Sequence, residues 1–318
     1  MELKGKRVGV TGATGMVGRY LMRALRDRGA IPVAVVRSPD KPPSLRALGF
    51  EVRRADLADP RALEEAFAGL SAVISNAGLI ALGGTPPAEV LQTNVEGTRN
   101  VFEALGKAGV RRAVLTSSCV AYAPQPGHRY DESHPLRAPG GFVHRFNCYA
   151  LSKASAESVA REAASRYDIG LSIARPHQII GAWDTTGFTR WFRLLMSPRW
   201  LSLWLTHWYY PSVYAGDLAE AMCLMLERDE AIGEAFNTTG EPGRDSYWGH
   251  MIAWREAGQR VPRLVIPVPF PSQRRYSIDK ARRLLGWAPR PLVEGFRDLI
   301  EIEIEAENQG PAPATPCA

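Results

Sequence analysis

Residues 8–18, VGVTGATGMVG, place Gly12, Gly15 and Gly18 between an apolar run of strand length and an amphipathic run that opens with Met16 and Val17. Each glycine answers a separate steric demand. One lets the chain turn tightly, one lets backbone approach a pyrophosphate, and one lets helix pack closely on strand. The unpaired N–H groups at the start of the helix then face the anion. The match gains force from its place after a first strand and at the mouth of a first helix. Gly12, Thr14, Gly15, Met16 and Val17 become candidate pyrophosphate contacts. A strand-to-helix turn without ligand is the remaining reading.

Strand-length apolar runs near 6–10, 32–36, 50–54, 71–75, 112–116 and 170–174 alternate with stretches of helical periodicity at 16–28, 60–68, 88–108 and 148–167. Successive βαβ units with right-handed crossovers give this pattern. The expected fold class is α/β, a doubly wound parallel sheet of Rossmann type with a smaller C-terminal substrate-binding lobe. The expected boundaries are 1–180 for the dinucleotide-binding core and 181–307 for a lobe with segments that return to the core. Residues 308–318, NQGPAPATPCA, read as a disordered tail.

Of 318 residues, 45% are hydrophobic and 23% charged, a balance that excludes a disordered or fibrous chain. The net charge of +6 favours anionic ligands such as a phosphorylated cofactor. Basic residues never run longer than a pair, so no nucleic-acid partner is expected. Cys119, Cys148, Cys223 and Cys317 form no CxxC and no paired spacing. That usage points to a reducing cytoplasm, without a metal centre or disulfide framework. The opening MELKGKRVGVTG leaves no room for a signal peptide before the first strand, and no apolar run is long enough to span a membrane. A cytoplasmic protein is expected.

The second strand ends in VAVVRS, so Arg37 stands where an acidic residue would hold the ribose hydroxyls of NAD. A cation there suits the 2′-phosphate of NADP; a solvated arginine beside the adenine suits either cofactor. NADP is the expected cofactor, with NAD as the alternative. Asp56, in ADL, either accepts a hydrogen bond from the adenine amine or caps the helix that starts near Pro60.

Tyr149 and Lys153 have YxxxK spacing, which on a helix puts both side chains on one face a turn apart. A free phenol, with a pKa near 10, is a poor acid–base catalyst at neutral pH, and a fixed ammonium one turn away, together with a cationic nicotinamide, favours the phenolate. Upstream, Ser117 and Ser118 end the apolar run AVLTSS at the carboxyl edge, where open α/β sheets bind ligands. Ser118 either orients a substrate oxygen or caps a turn. Asn94, within a predicted helix, either carries a water that links Lys153 to solvent or kinks the helix by bonding backbone.

The ordered set TGATGMVG, ADL, SNAG, TNVEGT, TSS, YALSK and RPHQIIG covers nearly the whole chain and resembles the extended short-chain dehydrogenase/reductases. The resemblance implies Ser118, Tyr149 and Lys153 as a catalytic triad and Asn94 as a proton-relay residue. It also implies Asp56, Leu57, Asn76, Ala77 and Pro176 as cofactor contacts, with Arg175-Pro176 opening a loop over the nicotinamide. VYAGDLAEA around Asp217 and LLGWAP at Trp287 are similar to the family's substrate-lobe signatures. YALSKASAE and RPHQIIG are similar to the branch with 3β-hydroxysteroid and sterol-4-carboxylate dehydrogenases. The competing branch, nucleotide-sugar epimerases and dehydratases, places an arginine where this chain has Tyr210.

The segment from Trp183 to Tyr210 carries five of the eight tryptophans and reads as helical pieces broken at Pro198. It either walls a pocket for a bulky apolar alcohol or packs as ordinary core. A third reading lays LLMSPRWLSLWL on a membrane surface, with Arg193 and Arg199 at headgroup level. His177, lone and next to Pro176, reads as a structural histidine or as a contact to substrate or nicotinamide. The expected activity is hydride exchange between NADP(H) and an apolar secondary alcohol, such as a 3β-hydroxysteroid, in a homodimer. An epimerase that retains its nicotinamide and a non-catalytic nucleotide-binding module are the rivals.

Overall fold

The computed structural model describes residues 1–39, 45–80, 85–125, 129–138, 143, 147–184, 188–197, 201–206, 211–241, 246–262, 264–269 and 274–308. The first half runs β1 (Arg7–Thr11), α1 (Met16–Asp27), β2 (Ile31–Val36), β3 (Glu51–Arg54), α2 (Pro60–Phe67), β4 (Ala72–Ser75), α3 (Pro87–Leu91), α4 (Gly97–Lys107), β5 (Arg112–Thr116), β6 (Arg129–Tyr130), α5 (Cys148–Arg166) and β7 (Gly170–Arg175). The second half adds β8 (Gln178–Ile180), α6 (Phe188–Leu195), β9 (Leu201–Thr206), β10 (Ser212–Tyr214), α7 (Ala215–Glu227), β11 (Ala235–Asn237), α8 (Tyr247–Glu256), β12 (Leu264–Pro269), β13 (Arg275–Tyr276), α9 (Asp279–Leu285) and α10 (Leu292–Asn308).

Seven strands form one parallel sheet in the order β3-β2-β1-β4-β5-β7-β11, a Rossmann arrangement. The order reverses between β1 and β4, which opens a crevice at their carboxyl ends. The Thr11 hydroxyl bridges that crevice by accepting from the N–H groups of Asn76 (3.0 Å) and Ala77 (3.1 Å). Leu21, Met22 and Leu25 of α1 and Leu218, Met222 and Met225 of α7 fill one face. Leu63 and Phe67 of α2, Phe102 and Leu105 of α4 and Ala160 and Ala163 of α5 fill the other. Covered on both sides, the inner strands read as unbroken apolar runs.

The strands and long helices expected in the first half are present, with differences in detail. The helix expected over 88–108 is three consecutive pieces, because Gln92–Glu96 widens into a π-type turn between α3 and α4. Strand β11 extends the sheet beside β7, and at three residues it is too short for a periodic signal. In the second half, α6 bears out the helical piece before Pro198, and β9 corrects the helical reading of the stretch after it. Residues 201–206 form a strand parallel to β12, as the alternation of Leu201, Leu203 and Leu205 with Ser202, Trp204 and Thr206 dictates. Arg193 of α6 is ion-paired to Glu303 of α10 rather than free for a headgroup. Arg199, Tyr210 and the tail from residue 309 on lie outside the described residues, and Asn308 closes α10.

Gly18 shows why the third loop glycine is required. A Cβ there would stand 2.2 Å from the Gly12 carbonyl oxygen and 2.5 Å from Ala13 Cα, both backbone atoms. Gly18→Ala is expected to cost about 1–3 kcal/mol of stability through overpacking. Thermal unfolding would read this as a lowered midpoint, and an unchanged midpoint would contradict the close packing.

Candidate active site

The glycine loop leaves β1 through Gly12, which has a φ of +67°. A Cβ at Gly12 would meet Ala77 Cα at 2.9 Å, so the loop after β4 can approach only because position 12 has no side chain. Gly15 donates to the Gly12 carbonyl (3.1 Å) and begins α1 without any side-chain cap. The first-turn N–H groups, from Met16 and Val17 on, have no intrahelical acceptor. Thr14 is exposed at the tip of the loop, and its carbonyl accepts from Arg19 Nε (3.2 Å). An uncapped helix end behind a loop with no room for side chains suits a diphosphate.

Arg37, at the end of β2, is 74% exposed, and its Nε lies 4.0 Å from an Asp56 carboxylate oxygen. Asp56 accepts from Ala58 N–H (3.0 Å) in a local turn. The helix-capping alternative for Asp56 is corrected: Asp59 caps α2 by accepting from Arg61 and Ala62 N–H. Leu57 receives Asn100 Nδ2 on its carbonyl (2.8 Å) and lies against Gly97. Arg37, Asp56 and the loop of Leu57 thus meet at the β2–β3 side of the crevice.

Beyond β4 the predicted catalytic residues converge. The Tyr149 hydroxyl is hydrogen-bonded to the Ser118 hydroxyl. Ser118 also donates to the Pro176 carbonyl (3.3 Å) and accepts from Val120 N–H (3.4 Å), so it caps its own turn as well. Lys153 is 8% exposed, and its ammonium donates to the Thr116 carbonyl (3.0 Å) and lies 5.9 Å from the centre of the Tyr149 ring. Burial lowers the Lys153 pKa to about 8, against a smaller opposing effect of Glu157. Burial pushes Tyr149 up to about 12, with the Ser118 hydrogen bond pulling the other way. In the protein alone, without the nicotinamide charge, desolvation outweighs the hydrogen bond and the ammonium is turned to Thr116.

Asn94, in the π-type turn, is buried, accepts from Leu79 N–H (2.7 Å) and donates to the Leu79 carbonyl and to Ser152 Oγ, both at 2.9 Å. It thus bonds the loop backbone opposite rather than its own helix. A Cβ at Gly78 would come within 3.2 Å of Asn94 Oδ1 and 3.3 Å of Lys153 Nζ, so this loop joins the two side chains. Asn76 Oδ1 accepts from Thr116 Oγ1 (3.1 Å), which ties the cofactor-side loop to the strand that carries Ser118.

Beneath the site lies a buried network that sequence reasoning missed. Glu157, one turn after Lys153, takes a two-pronged ion pair from Arg175, Nε to Oε1 at 2.8 Å and Nη2 to Oε2 at 2.7 Å. Ser117 donates to the same carboxylate (2.6 Å), and Arg175 Nη1 donates to the Tyr122 hydroxyl (3.0 Å). This network fixes Arg175-Pro176 against Ser117-Ser118. Of the aromatic run, Trp183 is half-buried and packs on α1 beneath Arg23, and Phe192 stacks on Phe296 in the core. Asp217 and Trp287 serve each other: Asp217 accepts from the Arg290 side chain and N–H, and its carbonyl accepts from Trp287 Nε1 (3.0 Å).

The profile of the NAD dependent epimerase/dehydratase family matches residues 8–238, which span the glycine loop, the Tyr149–Lys153 helix and β11. The chain belongs to this family. Sterol demethylase protein B of Methylococcus capsulatus is 30% identical over 81% of this chain and 76% of its own length. N-acetyl-alpha-D-glucosaminyl-diphospho-ditrans,octacis-undecaprenol 4-epimerase of Escherichia coli O157:H7 is 27% identical over 86% of this chain and 80% of its own. The structure of yeast methylglyoxal/isovaleraldehyde reductase Gre2 complexed with NADPH superimposes with a TM-score of 0.78 at 18% identity, covering 95% of this chain and 99% of that one. The protein is thus an NAD(P)-dependent enzyme of the extended short-chain type. Among the described residues no helix is long and apolar enough to cross a membrane.

Proposed function

We propose that the enzyme interconverts a secondary alcohol and a ketone on an apolar substrate, a 3β-hydroxysteroid or sterol, with NADP(H). The observation that carries the reading is the Tyr149–Ser118 hydrogen bond, with the buried Lys153 ammonium beside it at the carboxyl edge of β5. The protein's own residues fit a dinucleotide. The helix end at Gly15 is uncapped, a Cβ would fill the loop at Gly12, and Lys153 has one backbone acceptor for three N–H groups.

When bound, the nicotinamide supplies the hydride exchange and, when oxidised, a positive charge near Tyr149. Ser118 holds the substrate oxygen and Tyr149 gives or takes the hydroxyl proton at that oxygen. Lys153 favours the phenolate and would hold the ribose of a bound cofactor. Asn94 steadies the loop at Leu79, and the Glu157–Arg175 pair keeps Pro176 against Ser118. Burial holds the phenol protonated in the protein alone, so proton removal in the oxidising direction needs the positive charge that an oxidised nicotinamide would add.

Arg37 supports NADP over NAD, since an exposed cation at the end of β2 suits a 2′-phosphate. Arg37→Ser is expected to weaken NADP binding by about 10- to 100-fold and to leave NAD binding nearly unchanged. Fluorescence titration of the two reduced cofactors measures this, and equal losses for both would contradict the assignment. Lys153 predicts a pH dependence. Its pKa is lowered to about 8, so its charge is lost as pH rises through that value, and cofactor affinity should fall above it. Lys153→Arg should flatten that limb of the profile; an unchanged limb would assign it to another group.

A steroid or sterol is supported by the likeness to the sterol protein of Methylococcus capsulatus. The epimerase reading is supported by the likeness to the undecaprenol 4-epimerase. Conversion of a sugar with no net change in nicotinamide absorbance would select it. Cys119 and Cys223 are buried thiols outside any disulfide, which fits a cytoplasmic setting. A homodimer is the assembly we propose, to be read by sedimentation.

A further inference from the structure

We propose that Arg137 and Arg274, with His177 beside them, form a subsite for an anionic group of the substrate, a carboxylate or a phosphoryl group. This subsite lies on the β7 side of Ser118, away from the glycine loop, and its use by substrate rests on the reading that Ser118 marks the reacting carbon.

The two arginines reach this place from opposite ends of the chain. Arg137 is fixed by its N–H to the Ala121 carbonyl (2.9 Å) and by its Nε to the Val120 carbonyl (3.2 Å), within the turn that Ser118 begins. Arg274 is bonded to the Tyr276 hydroxyl and lies 5.9 Å from the centre of the Tyr130 ring. Tyr276 in turn packs on the His177 ring at 5.3 Å, and His177 follows Pro176, whose carbonyl accepts from Ser118. Both guanidinium groups are therefore one short chain of contacts from the Ser118 hydroxyl.

Two like charges brought together repel, and an anion beside them would relieve that repulsion. Burial lowers the pKa of Arg137 and of His177, and the nearby Arg274 charge lowers both further. Among the described residues no carboxylate pairs with either arginine, and the nearby ones are engaged. Asp131 is bonded to Ser133 and His134, Glu132 accepts from Asn237 N–H, and Asp279 is bonded to Ser277 and Arg129. Residues 133–156 and 257–278 contain no Asp or Glu at all, so the flanking sequence supplies no counter-ion. His177 adds an independent sign of a ligand, because its Nδ1 is buried without a hydrogen-bond partner. A neutral imidazole there offers an uncharged hydrogen bond alongside the two charges.

Calorimetry on the NADPH-saturated enzyme tests the subsite without turnover, since the reduced cofactor cannot oxidise an alcohol and the diphosphate site is filled. The titrants are a 3β-hydroxysteroid carboxylate, its methyl ester and inorganic pyrophosphate. The expected result is that one of the two anions binds, the acid at least tenfold tighter than its ester if the group is a carboxylate. Arg137→Gln and Arg274→Gln should each weaken that anion about tenfold, with NADPH binding intact and partial recovery in Arg274→Lys. Tighter binding of pyrophosphate than of the acid would identify a phosphoryl group. No binding of either anion, or equal affinity in wild type and both variants, would overturn the subsite. If a variant loses NADPH binding, the wild-type acid-to-ester ratio and Arg274→Lys decide. Failure of the alcohol-dehydrogenase reading is seen separately, as absent turnover of neutral secondary alcohols with NADP.

Discussion

Tyr149→Phe is expected to lower turnover by about 10²–10⁴-fold while cofactor affinity stays nearly unchanged. The substitution removes only the hydroxyl that is bonded to Ser118, and the ring still packs 5.9 Å from Lys153. A hydroxyl that merely stabilised the fold would instead lower the unfolding midpoint and leave kcat in place. Steady-state kinetics beside a cofactor titration separates the two. A loss confined to KM would mean that Tyr149 binds substrate without moving a proton, and equal activity would remove it from the mechanism.

Glu157→Ala should cost about 3–5 kcal/mol of stability, since it leaves Arg175 buried and uncompensated. The two side chains are 1% and 5% exposed, so water cannot replace the missing carboxylate. The same change should disturb the site. Glu157 favours the charged form of Lys153 from one turn away, and its Arg175 partner precedes the Pro176 whose carbonyl holds Ser118. Loss of the carboxylate should therefore move the Lys153-dependent fall in cofactor affinity to lower pH, the direction in which burial already drives it. Chemical denaturation and the pH profile measure the two effects. Replacing both partners, Glu157→Leu with Arg175→Met, should recover much of the stability, because a buried pair costs more when halved than when removed. A stability change below about 1 kcal/mol in Glu157→Ala would show that the pair is dispensable.

What the sequence disclosed depended on whether a constraint was local. The glycine loop was legible because Gly12, Gly15 and Gly18 meet backbone demands set within one strand and one helix. Tyr149 and Lys153 were legible because four residues on a helix fix their relation before any tertiary contact forms. The Glu157–Arg175 pair was not, since it joins a helix to a strand and nothing in either segment names the partner. Thr11 was missed for the same reason, its hydroxyl being spent on the backbone of another strand's loop. The helical reading failed at 201–206 because tryptophan and leucine suit either a helix or a strand, and pairing with β12 decides. The height of the Tyr149 pKa depends on burial, which spacing alone does not reveal.

The most direct test of the account is the near-ultraviolet absorbance of purified enzyme with NADP, challenged with a panel of 3β-hydroxysteroids and simpler secondary alcohols. The account predicts steady, substrate-dependent formation of NADPH, abolished in Tyr149→Phe and slower with NAD than with NADP. Unchanged absorbance with every alcohol, together with conversion of a nucleotide sugar to its epimer, would contradict it.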